Sequence, residues 1–439
     1  MNVLHPSPAS LDWTAIENDA ARLLSRYIQF DTTNPPGNEA LALEFLAEWL
    51  LARGFEPLLL RSGEQRANLV VRLRSQAAPS APPILLYAHA DVVPASPADW
   101  SVPPFGGHIK HGYVWGRGAL DDKGLGVIFL LTLDLLKKMA VPLRRDVILL
   151  IAADEELRSQ HGVAWLLDHH PDLIKAEFVW DEGGLGLRQP ALPERYLYGI
   201  AVAEKKAMTV RLVAQGTPGH AALPQQNNPQ ERLVRALNRI SVWQRPARLT
   251  GPVIDMLHTL APTRSRYEAA LFSRAEKPLL WALLRPLLEA NPFFGPLIRN
   301  TVNLTLLRGG QASNVISAQA EAKLDIRLLP DEDPLAILAD LRSVIADAKV
   351  SVEAEEIPLP HPTTSTDTDF FRALMQTLRE QAPPGLVLPY LTPGATDSRF
   401  FRRAGMQAYG FMPMLLDSAE LSRIHGIDER VSTANLRWG

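Results

Sequence analysis

At 439 residues the chain exceeds what a single hydrophobic core ordinarily serves, so two or more compact units are expected. Its 46% hydrophobic and 21% charged residues match the average globular composition and exclude disordered and fibrous classes. A net charge of -3 with both signs interspersed excludes a basic face for nucleic acid, and the absence of cysteine excludes disulfides and thiolate metal ligands, which suits a cytoplasmic protein.

Residues 1–13 lack the basic and apolar runs of a signal peptide, and no apolar run approaches the roughly 20 residues of a membrane-spanning helix, so neither export nor a membrane is expected. Residues 39–53 set leucine and phenylalanine at helical spacing and stop at Gly54. Residues 68–73 and 84–87 read as strands across a proline-rich loop. A long apolar helix at 123–139, a buried strand at Val147–Ala152, a helix at 162–169 and a strand at 178–180 follow. This alternation predicts an α/β domain with a mostly parallel central sheet.

From about Glu204 the texture changes, because residues 208–214 and 321–328 alternate apolar and polar side chains as half-exposed antiparallel strands do. Between them lie a helix at 229–242 and a Leu-, Phe- and Pro-rich stretch, 257–297, that reads as extra helices. After Pro358 a linker-like segment from His361 to Ser365 leads into a helix and a short strand at 407–411. The expected organisation is a catalytic domain at 1–203 and 358–439, interrupted by an inserted α+β domain at 204–357.

Four predicted strands or strand-turns run into groups of metal-ligand type: 84–87 into His89-Ala90-Asp91, Val114-Trp115 into Asp121-Asp122, 147–152 into Asp154-Glu155-Glu156, and 178–180 into Asp181-Glu182. Ligands of open α/β sheets sit outside the carboxyl ends of the strands. Each group alone has a plainer reading: His89 and Asp91 as a structural pair, Asp121-Asp122 as a complement to the helix N-terminus that follows, Glu155-Glu156 as a helix start. Gathered at one sheet edge, they would repel or stay unpaired without cations.

A two-metal site needs one bridging carboxylate and a His with a carboxylate on each side. Asp121, behind the turn Gly116-Arg117-Gly118, is the expected bridge. His89 with Glu182 would finish one metal, and Glu156 with His425 the other. Glu155 is left over beside Glu156 and suits a general base, while Asp91 is placed to orient His89. His161, close behind Glu156, is the nearest other ligand candidate; His108, His111, His169, His170, His258 and His361 are expected to be structural.

The ordered set His89-Ala90-Asp91-Val92-Val93-Pro94, Gly116 to Lys123, Asp154-Glu155-Glu156, Asp181-Glu182-Gly183-Gly184, Gly219-His220-Ala221-Ala222, Gly394-Ala395-Thr396-Asp397 and His425 to Glu429 resembles metallopeptidase family 20, the group of aminoacylase, carboxypeptidase S and succinyl-diaminopimelate desuccinylase. The resemblance spans about Asp31 to Val431. It implies a zinc-dependent catalytic domain interrupted by a lid and dimerisation domain, the five ligands above, Glu155 as base, and Glu182 rather than Asp181 at its metal. By position it also implies that His220 reaches the substrate carbonyl, often across a homodimer, and that Asn314, Arg327 and the Gly394 segment hold a substrate with a free carboxylate. Arg327 has a plainer reading too, as part of a charge ladder with Asp325 and Lys323. The stretch 257–297 is longer than the minimal family lid and resembles the extended lid of the carboxypeptidase S branch.

The expected function is two-metal hydrolysis of the amide bond of an N-acyl amino acid or small peptide, with two Zn2+ ions per chain, a donor set that would also accept Co2+ or Mn2+. A glycosidase built on a carboxylate pair would leave His89 and His425 without work. A family member that binds metal without hydrolysing would be marked by loss of the base, and Glu155 is present.

Overall fold

The computed structural model describes residues 11–188, 196–223, 225–243 and 245–439; most of the N-terminal stretch read above for a leader lies outside them. The chain divides into two compact units, one of Met1–Val202, Thr364–Tyr390 and Thr396–Gly439, the other of Ala203–Thr363 and Leu391–Ala395.

The first unit is organised by Val147–Ala152, whose six residues are all buried. Such a run without alternation suits a strand covered on both faces. Leu149 and Ile151 pack with the helices Trp13–Ile28, Glu39–Leu51 and Lys123–Lys138. Ile148, Leu150 and Ala152 pack on the opposite face with Val163, Leu166 and Phe401. Burying each such leucine or isoleucine stabilises the unit by about 1.5–3 kcal/mol before entropy is counted.

The parallel neighbour Ile84–His89 pairs with this strand in a register that sets His89 opposite Ala152. Phe178–Asp181 continues the parallel pairing and Gln407–Gly410 extends it. The parallel expectation holds for these inner strands and for the short pair Leu415–Leu416 with Gly186–Arg188. Ala67–Leu73 pairs antiparallel to Val147–Ala152, Leu58–Arg61 antiparallel to that, and Tyr196–Glu204 antiparallel to Gln407–Gly410, so the ten-stranded sheet is mixed.

One expectation is corrected. Tyr113–Trp115 does not end at the edge of the central sheet; it is the middle strand of a separate antiparallel sheet with His108–Lys110 and Arg430–Ser432. His108–Lys110 and Tyr113–Trp115 form a tight hairpin, to which Arg430–Ser432 adds from far along the chain, and three residues are too few to span a buried sheet.

The second unit holds a four-stranded antiparallel sheet in the order Thr301–Gly309, Gln319–Leu328, Lys206–Gln215, Val350–Ala354. Alternate residues of Gln319–Leu328 are buried, and they pack with helices Pro229–Ser241 and Pro334–Ile345. Asn228 caps the first of these helices by accepting from the Gln230 N–H, ahead of a proline whose missing donor costs nothing there. The extra helices are Gly251–Leu260, Arg266–Phe272 and Pro278–Ala290. No helix among the described residues is long and apolar enough to cross a membrane.

Candidate metal centre

His89 closes its strand fully buried, with Nδ1 3.0 Å from the Asp91 carbonyl oxygen. That bond assigns the proton to Nδ1 and turns Nε2 outward, where Asp121 Oδ1 lies 3.0 Å away and Glu182 Oε1 4.0 Å away. The other oxygen of Asp121 faces a second histidine: Oδ2 is 3.1 Å from His425 Nε2, which is also 3.2 Å from Glu156 Oε1. One carboxylate thus stands between two imidazoles, each with a further carboxylate beside it. Ligand atoms of His89, Asp121 and Glu156 lie within 4.8 Å of one another, as do those of His89, Glu155 and Glu182.

The Asp91 carboxylate fixes the acidic turn. Its Oδ1 accepts from the Glu155 N–H at 3.0 Å and its Oδ2 from the Glu156 N–H at 3.1 Å and Asn34 Nδ2 at 2.8 Å. Glu155 and Glu156 therefore diverge from a turn rather than from an extended strand end. Asp154, at φ 68°, starts that turn, and its carboxylate is held by Asn34 at 2.9 Å and Arg66 at 2.8 Å. His161 Nδ1 lies instead 3.1 Å from the Ser62 carbonyl oxygen, away from this set.

Sequence reasoning missed the groups that hold the ligands. Glu429 is fully buried: Oε1 accepts from the Leu120 and Asp121 N–H groups at 2.8 and 3.1 Å, and Oε2 lies 2.6 Å from Arg117 Nη1. Arg117 Nη2 donates to the His425 carbonyl oxygen at 3.3 Å, so this ion pair joins the Asp121 turn to the His425 turn. Asp122, joined to Asp121 by a cis peptide bond, accepts from the His89 N–H at 3.3 Å. Asp181 accepts from Ser398 Oγ at 2.6 Å and the Glu182 N–H at 2.7 Å. Asp397 accepts from Tyr87 at 2.5 Å and from Ser159. The available signal was an Arg and several acids adjacent to the proposed ligands within the motifs.

The electrostatics fit divalent cations. Burial pushes the carboxyls of Glu155, Glu156, Glu182 and Asp122 above their usual range, and the charges of neighbouring acids push them further. Burial disfavours a charged His89, yet its hydrogen bonds to Asp121 and Asp91 and the charges around it raise it well above 6.5. Asp121 and Glu156 hold His425 at about 10. Asp122 Oδ1 is buried without a hydrogen-bond partner among the described residues, and Glu156 Oε1 faces the His425 imidazole at 3.2 Å. A buried orphaned oxygen and mutually repelling acids are what a cation pair satisfies.

The four remaining candidates belong to the second unit. His220 is exposed in a two-residue strand, Gly219–His220, paired with Val315–Ile316, and the Ala221 N–H donates to the Asn314 carbonyl oxygen at 3.0 Å. His220 and Asn314 are thus neighbours. Arg327 is held by Asp325 through Nε at 2.9 Å and Nη2 at 3.0 Å, and Lys323 pairs with Glu355, so this strand face carries the charge ladder. Gly394 lies in the short segment Leu391–Ala395.

Comparison with known proteins places these residues in a lineage. The model of peptidase family M20/M25/M40 matches residues 85–439. The N-fatty-acyl-amino acid synthase/hydrolase PM20D1 of Xenopus tropicalis is 31% identical over 80% of this chain and 69% of its own length. The probable carboxypeptidase S-like 2 of Dictyostelium discoideum is 30% identical over 81% of this chain and 69% of its own. Among solved structures, the M20 family metallo-carboxypeptidase Sso-CP2 of Sulfolobus solfataricus superposes with a TM-score of 0.71 at 20% identity, covering 95% of this chain and 96% of its own.

Proposed function

The chain belongs to peptidase family M20/M25/M40, and on that premise we propose that it hydrolyses the amide bond of an N-acyl amino acid or short peptide bearing a free carboxylate. The observation that carries this reading is the Asp121 carboxylate, one oxygen 3.0 Å from His89 and the other 3.1 Å from His425, with Glu182 and Glu156 beside the two histidines. His89, Asp121 and Glu182 would hold one divalent cation, and Asp121, Glu156 and His425 a second, which we take to be zinc. When bound, such a pair lowers the pKa of water toward about 7 and polarises a carbonyl.

Glu155 does the proton work in this account. Its neighbour Glu156 turns toward His425, whereas Glu155 offers an oxygen within 4.8 Å of ligand atoms of His89 and Glu182, beside the proposed cation set. It takes one proton as the water oxygen adds to the amide carbon, then delivers it to the nitrogen as the C–N bond breaks, leaving a free amine and a carboxylic acid that ionises by releasing the water's second proton. Asp91 keeps both glutamates in place through their N–H groups. We assign residues 204–357 as the lid and pairing domain, with His220 as a donor to the developing oxyanion and Asn314, Arg327 and the Gly394 segment toward the substrate carboxylate. The cysteine-free composition agrees with a cytoplasmic site of action.

The test is hydrolysis of a panel of N-acyl amino acids and dipeptides by zinc-reconstituted protein, alongside Glu155→Gln. The variant should lose about 10²–10⁴-fold in turnover while binding as much zinc as the parent. Near-normal turnover would remove Glu155 from the mechanism, and an inert parent across the panel would favour a cation-binding protein without hydrolysis.

A further inference from the structure

Helix Pro278–Ala290 of the second unit turns one side inward, burying Leu284 and Leu288. On its other side Leu279, Leu283 and Leu287 recur every fourth residue and are 83%, 68% and 51% exposed. Ala282, Pro286 and Ala290 are exposed among them. At helical spacing these six share one arc, and no charged or hydroxyl side chain interrupts it. Exposed helix faces of globular proteins are ordinarily polar, and a contiguous apolar face of this kind marks an interaction surface.

We propose that this face seats on an anionic lipid surface. The first argument is charge. The one acid of the helix, Glu289, lies 3.1 Å from Arg299 and 4.0 Å from Arg285. Arg274 and Lys277 lie exposed just before the helix, and Glu276 between them is paired with His258 at 3.3 Å. The border of the leucine arc therefore carries an excess of cations, complementary to anionic headgroups. The second argument is polarity. A protein partner is held in register by hydrogen bonds around an apolar centre. This arc offers none, and the boundary between headgroups and acyl chains demands none. Tyr267, on the preceding helix Arg266–Phe272, is 88% exposed and of the type that settles at headgroup level. Seating of this kind lies on the bilayer and does not cross it.

The surface assignment stands without the hydrolase reading; its use does not. If the substrate is an N-acyl amino acid with a long chain, it partitions into the same boundary, and a seated enzyme meets it there.

The experiment is flotation of the full chain with vesicles of equal phosphatidylcholine and phosphatidylglycerol, or of phosphatidylcholine alone, at low salt. The parent protein should float with the anionic vesicles and little with the neutral ones. The combined variant Leu279→Glu, Leu283→Glu, Leu287→Glu should partition about tenfold less, because binding scales with buried apolar area. These side chains are exposed, so the variant should fold and hydrolyse a short-chain, water-soluble substrate at the parent rate. No flotation on anionic vesicles, or equal flotation on both kinds, would overturn the proposal. So would a triple variant that floats normally but changes from dimer to monomer, which would assign the face to a second copy of the chain. Flotation without hydrolysis of any substrate would leave the lipid surface standing and defeat the hydrolase reading instead.

Discussion

Replacing Glu429 by alanine asks whether a buried ion pair outside the proposed ligand set positions the bridging carboxylate. Glu429 and Arg117 are 0% and 4% exposed at their side chains, with 2.6 Å between them. Removing the acid strands the guanidinium in the interior, which costs about 3–5 kcal/mol. The Leu120 and Asp121 N–H groups lose their acceptor as well, and because they share that acceptor with Arg117 the penalties overlap rather than add. Against a total stability of about 5–15 kcal/mol the loss is large. Asp121 would then be free to shift, so cation affinity should fall about 10–100-fold, the usual effect of removing a group that orients a ligand. Glu429→Gln keeps an oxygen for the N–H groups but not the charge for Arg117, and should fall between the parent and the alanine variant. Urea unfolding and calorimetric titration with zinc read the two effects. Unchanged affinity and an unchanged unfolding midpoint in Glu429→Ala would refute the positioning argument.

The other predictions concern the second unit. His220→Ala should lower turnover by about 10²–10³, the cost of one oxyanion donor, with zinc content unchanged, and full activity would remove His220 from the mechanism. If it acts across a dimer, Glu155→Gln chains that have exchanged subunits with His220→Ala chains should recover partial activity; if within one chain, none. Burial pulls Lys205 down from 10.5 to about 7, while its Nζ donates at 2.9 Å to the carbonyl oxygens of Pro296 and Arg299. With the folded value below the unfolded one, the unfolded chain binds more protons between pH 7 and 10.5, so stability rises with pH across that window, by at most about 1.4 kcal/mol per pH unit. The stability of the parent relative to Lys205→Met should therefore climb from pH 7 to 10, and a flat difference would contradict the depressed value.

The sequence announced what local pattern controls. Val147–Ala152 reads as a doubly covered strand because six apolar residues run without alternation, and Gln319–Leu328 reads as a half-exposed strand because its residues alternate. The proposed ligands could be singled out for a different reason: cation chemistry admits few residue types, and the motifs present them in order. What was not legible depends on partners far along the chain. Arg117 meets Glu429 across 312 positions and Tyr87 meets Asp397 across 310, pairings that no local spacing encodes. The antiparallel outer strands belong to the same class, since direction is set by which edge a strand joins. Arg327 is a case where two readings met: its polar strand face suggested a ladder with Asp325, and that ion pair is present. The leucines of Pro278–Ala290 counted as helix formers in the sequence, and only the fold distinguishes Leu284, inside, from Leu283, outside.

The central claim is that Asp121 is shared by two cations, and the most direct test is the number of ions the chain holds. Elemental analysis of protein saturated with zinc and freed of excess should give about two ions per chain, falling toward none in Asp121→Ala because one carboxylate serves both positions. One ion or none per parent chain at saturation, or two retained by Asp121→Ala, would contradict the account.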